Sequence, residues 1–112
     1  MGLLSPPGWW PVWLPPRGWR LVGSVPDPDL VPERLPRRGA FTVDRASGPA
    51  WLVFDCPCRR QHRLLLNLSP VRQPYWTITP GERLTVRPSV DSFDGGERCH
   101  FWLRAGRVRW ER

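Results

Sequence analysis

The thiol and imidazole side chains of this chain are gathered in two short segments. The first is Cys56-Pro57-Cys58 followed by His62, and the second is Cys99-His100. Thiolate sulfur and imidazole nitrogen are the donors that a tetrahedral zinc ion takes, commonly as short pairs drawn from two separate segments. A single residue between the first two cysteines is tighter than the usual two to four, and Pro57 suits the sharp turn this spacing needs. Five candidates compete for four positions. If Cys99 and His100 lie in a strand, they point to opposite faces, so only one of them meets the metal. Cys56, Cys58, His62 and Cys99 then form a Cys₃His set for a structural zinc, and His100 faces elsewhere. The alternative is a group of buried thiols and a satisfied core histidine with no metal.

A second constellation rests on His100 and a serine. Ser89 lies in Arg87-Pro88-Ser89-Val90. If the His100 strand runs antiparallel to this segment across an Asp94-Gly95-Gly96 turn, the two side chains can meet. A nucleophilic serine needs a base within hydrogen-bond reach, and that base needs an orienting group. Asp91 and Asp94 are near enough in sequence to orient His100, and nothing in the sequence selects either. No H-E-x-x-H, phosphate-binding glycine loop or dinucleotide fingerprint is present.

The elements that must position these groups read as strands. Phe41–Asp44, Trp51–Phe54, His62–Leu68, Tyr75–Thr79, Leu84–Val86, Cys99–Arg104 and Arg107–Trp110 are short, apolar or alternating runs. They are separated by turn signals at 46–49, 80–82, 94–96 and 105–106. The spacing predicts a compact all-β domain of about seven short antiparallel strands, with the zinc as a possible staple for a thin core. Residues 20–40, with Pro26, Pro28, Pro32 and Pro36, read as an extended, turn-rich lead-in holding at most one helical turn around Pro28–Arg34. Residues 1–19 carry five Pro and four Trp and read as a Pro/Trp-rich tail, or a docking segment, ahead of a single domain over 20–112.

Composition narrows the function classes. In 112 residues there are 15 Pro and 10 Gly, too many for a helical bundle. No run of eighteen apolar residues exists, so no membrane helix is expected. The first residues lack the basic start of a secretory signal, which makes a cytoplasmic protein with cytosolic thiols or metal ligands the expectation. The net charge of +7 comes from arginine alone, without lysine. The arginines are scattered and match GC-rich codon usage, so nucleic-acid binding is the lesser reading.

Several of these segments together resemble the BubE family of bacterial ubiquitination-like operons. The family pattern runs from V-x-x-I-P-D-x-L to C-x-C-G-C-G, then W-x-L-T-V and L-R-P-S-I, and closes with Cys and S-H-Y-W-I-R-D-G-R-V-R-W. Its counterparts are Val22–Leu30 with Val25-Pro26-Asp27, then Phe54-Asp55-Cys56-Pro57-Cys58, Trp76-Thr77-Ile78-Thr79 and Val86-Arg87-Pro88-Ser89-Val90. The close is Cys99–Trp110. The resemblance covers about four fifths of the chain. It implies a bacterial serine peptidase that matures or deconjugates a ubiquitin-like protein, with Ser89 as nucleophile and His100 as base. E1-like or E2-like enzymes are the further partners it implies.

Two departures from the pattern bear on zinc. The third cysteine of C-x-C-G-C-G is absent, with His62 as a substitute, and the later cysteine stands directly before the histidine. A non-catalytic, zinc-binding interaction module in the same pathway is the alternative function. The lack of lysine also leaves no side-chain amine for conjugation.

Overall fold

The computed structural model describes residues 18–58, 61–79, 83–94 and 96–111. Most of the 1–19 tail, the 80–82 turn and Gly95 of the 94–96 turn lie outside them. Among the described residues, eight strands form two four-stranded sheets, as the all-β patterning predicts. The first sheet is ordered β1 (Arg20–Val25), β2 (Gly39–Arg45), β3 (Gly48–Asp55), β4 (Arg63–Asn67). The second is ordered β5 (Thr77–Thr79), β6 (Thr85–Asp94), β7 (Glu97–Arg104), β8 (Arg107–Trp110).

The alternation of apolar residues explains how the sheets meet. Leu52 and Phe54 on β3, Leu64 and Leu66 on β4, and Val86, Val90, Phe101 and Leu103 on β6 and β7 are all buried in one cluster. Aromatic edges join the core: Trp19 meets Phe54 at 5.5 Å, Phe54 meets Phe101 across the two sheets at 6.4 Å, and Phe101 meets its cross-strand neighbour Trp110 at 5.5 Å. Full burial of a ring such as Phe54 or Phe101 contributes roughly 1.5–3 kcal/mol from apolar area alone. The opposite face of the first sheet carries a smaller cluster of Val31, Val43 and Val53, against which Leu35, Phe41 and Trp51 are partly buried.

The lead-in departs from the expected irregular segment. Arg20–Val25 is a strand, and it runs parallel to β2, so the first sheet is mixed and not antiparallel throughout as expected. The single 3-10 turn at Pro28–Leu30 falls inside the span expected for a helical turn and is capped by Asp27, whose side chain accepts from the Asp29 N–H at 2.9 Å. Trp19, which the sequence reading places in the tail, belongs to the core. Its N–H donates to the Gly106 carbonyl at 2.7 Å, and its carbonyl accepts from Leu84 at 2.9 Å. The crossing is close: a Cβ on Gly18, whose φ is +87°, would lie 2.9 Å from the Gly106 oxygen.

Candidate functional site

The cysteine cluster is built where the two sheets meet. β3 delivers Cys56 at its end, the turn to β4 delivers Cys58 and His62, and β7 delivers Cys99. The Cys56 N–H donates to the His62 carbonyl at 2.8 Å, which closes this loop on itself. The three Sγ atoms and one His62 ring nitrogen all lie within 4.8 Å of one another. The separation of Cys58 Sγ and His62 Nδ1 is 3.4 Å. A tetrahedron with Zn–S near 2.3 Å and Zn–N near 2.0–2.1 Å has an S–N edge of about 3.5 Å, which the Cys58–His62 pair matches, and the four donors together could hold a metal ion. Burial and the neighbouring thiols push the Cys56 thiol up to about 12, and burial also raises Cys99. A cation placed among them reverses that preference and holds the sulfurs as thiolates.

Cys99 and His100 face opposite ways, as strand alternation requires. Cys99 is buried with the metal candidates, while His100 is half-buried on the other face of the sheet. There His100 Nε2 lies 2.9 Å from Ser89 Oγ. A local irregularity brings them together. Val86 pairs with Leu103 and Val90 with Phe101, so Arg87, Pro88 and Ser89 stand opposite Trp102 alone. A bulge of this kind re-aims side chains and leaves backbone groups outside the ladder. Pro88, which has no N–H to give, sits where no ladder bond is required. The indole N–H of Trp76 donates to the Ser89 carbonyl at 3.2 Å and fixes the bulge from the β5 side.

The two expected orienting carboxylates behave differently. Asp91 is the cross-strand partner of His100 and shares its face. Its carboxylate is held by Arg98 through Nε at 2.8 Å and Nη2 at 2.6 Å, and this guanidinium lowers its pKa. The Asp94 side chain lies outside the described residues. Among the described residues, Ser89 and His100 therefore form a dyad with Asp91 beside it.

A family model described as "Bacterial ubiquitination-like system serine protease (BubE)" matches residues 27–111, well over half of the chain. The chain belongs to the BubE family. Comparison with curated proteins and with solved structures finds no match. The matched span takes in both the cysteine cluster and the Ser89–His100 pair, and leaves out Trp19 and all of β1. Among the described residues no helix is long and apolar enough to cross a membrane.

Around these groups the BubE fold brings in residues that the sequence reading missed. Trp76 is half-buried and carries the hydrogen bond that holds Ser89. A depression of about 500 Å³ beside the pair is lined by Tyr75, Thr77, Arg87, Pro88 and Trp102. Trp102 is fixed there by its indole N–H on Glu111 Oε2 at 3.0 Å, and the Arg104 guanidinium lies 4.6 Å from its ring centre. A larger groove of about 940 Å³ by β8 is lined by Arg37, Arg38, Arg83 and Arg107 among others. Asp55, the acidic residue in that lining, is taken up by Arg63 at 3.2 Å.

Proposed function

We propose that this BubE protein is a serine peptidase that trims or releases the C-terminal tail of a bacterial ubiquitin-like protein, with Ser89 as nucleophile and His100 as base. The observation that carries this reading is the 2.9 Å contact between Ser89 Oγ and His100 Nε2 on an accessible face of the sheet. In the first step Oγ bonds to the scissile carbonyl carbon as its proton passes to Nε2. The C–N bond then breaks, and the leaving amine takes that proton from His100. The tail is left as an ester on Ser89. Water adds to that ester with His100 again accepting a proton, and the acid and free serine are released. Backbone N–H groups that the bulge at 87–89 leaves outside the ladder would hold the oxyanion.

The surroundings suit a polypeptide substrate. The Tyr75–Trp102 depression gives an extended tail a shallow apolar bed next to Ser89, and β5 is an edge strand to which it can pair. The arginine-lined groove offers positive charge to an acidic face of the ubiquitin-like protein or of an E1-like or E2-like partner. Zinc, in this reading, supplies a cross-link and no chemistry, because four protein donors already fill a tetrahedral shell. A bacterial cytoplasmic setting follows from that pathway and from cysteines kept as thiols or metal ligands.

The test is incubation with the ubiquitin-like protein encoded beside the gene, extended at its C-terminus by a short peptide, and read by intact mass. One defined cut at the tail is expected. A stable complex with no cut would favour the non-catalytic interaction module instead.

A further inference from the structure

We propose that Ser92 is a positioning residue for the metal centre, holding His62 in the tautomer and orientation that present Nδ1 to the ion. This inference rests on the zinc reading of the cysteine cluster. A neutral imidazole carries one N–H, and a ring nitrogen that binds a metal must offer its lone pair, so the proton must sit on the other nitrogen. In His62 it is Nδ1 that faces the cysteines, 3.4 Å from Cys58 Sγ. The proton therefore belongs on Nε2, which lies 3.2 Å from Ser92 Oγ. The serine hydroxyl accepts that N–H and selects the tautomer.

The position of Ser92 gives the contact a second consequence. It stands on β6 directly opposite Cys99, another donor of the set, and three residues beyond Ser89. One side chain thus joins the β3–β4 loop to the strand that carries the proposed nucleophile, while its cross-strand neighbour is itself a ligand. Both Ser92 and His62 are half-buried, which limits competition from water. Partners of this kind commonly set metal affinity by 10–100-fold.

The experiment compares zinc affinity of the full chain with that of Ser92→Ala and Ser92→Thr, by competition with a chromophoric chelator. It is paired with ¹⁵N NMR of the His62 ring in the zinc-loaded protein. Ser92→Ala should bind zinc about 10–100-fold more weakly, and its Nε2 proton should exchange with solvent much faster. Ser92→Thr, which keeps the hydroxyl, should restore most of both. Ser89→Ala should leave zinc affinity unchanged. Wild-type affinity in Ser92→Ala, or coordination through Nε2 in the parent protein, would overturn the role of Ser92 while leaving the zinc site standing. A parent protein that takes up no zinc would overturn both.

Discussion

Ser89→Ala should lower kcat/KM for tail cleavage by about 10⁴-fold or more, the scale seen when a nucleophile is removed from a serine–histidine centre. The fold should barely register the change. Ser89 is half-buried in a bulge, and among the described residues its side chain bonds to His100, so the thermal midpoint should move by only a few degrees. His100→Ala should cost about as much, because the serine hydroxyl then has no base. The double variant should be little worse than either single one, since the two groups act as one unit. Steady-state kinetics beside a thermal melt reads all of this. Turnover near the wild-type rate in Ser89→Ala would remove Ser89 from the mechanism.

Stripping zinc, or replacing a ligand as in Cys99→Ser, should produce the largest change in stability. The cluster ties the β3–β4 loop to β7 across the two sheets. A chain of 112 residues with two thin sheets has little core to spare. At free zinc a hundredfold above its dissociation constant, binding adds about 2.7 kcal/mol to the folded state. For a domain of this size that corresponds to a fall in melting temperature on the order of 10–20 °C when the metal is lost. Thiols must give up protons to bind zinc, so a chelator should strip the metal more readily as the pH falls. Melting curves with and without chelator check the size, and the same chelation at two pH values checks the sign. An unchanged midpoint after zinc removal would show that the staple contributes nothing to the fold.

The parts of this molecule that depend on local alternation were legible in the sequence. The order of strands from residue 41 onward follows from apolar spacing. So does the division of labour between Cys99 and His100, since neighbours in a strand must face opposite ways. The meeting of Ser89 and His100 also followed from an antiparallel turn-back.

What escaped were features set by distant contacts. β1 contains Gly23 and is followed by a proline-rich stretch, so it reads as irregular. It forms because β2 offers a parallel edge and because Gly23 leaves room for Phe41, whose ring would lie 2.7 Å from any Cβ there. Pro88 divides β6 into two apparent pieces, whereas the structure runs it as one strand with a bulge. Nothing local marks Trp76 as the donor to Ser89, or Ser92 as the partner of His62, because 13 and 30 residues separate those pairs. The pairing of Asp91 with Arg98 was equally hidden.

The central claim is that His100 activates Ser89, and covalent capture tests it most directly. A serine-directed fluorophosphonate added to the full chain, followed by peptide mass mapping, should place a single adduct on Ser89. The adduct should disappear in His100→Ala, although the serine is still present. No adduct at Ser89 in the wild-type protein, or labelling at an undiminished rate in His100→Ala, would contradict the account.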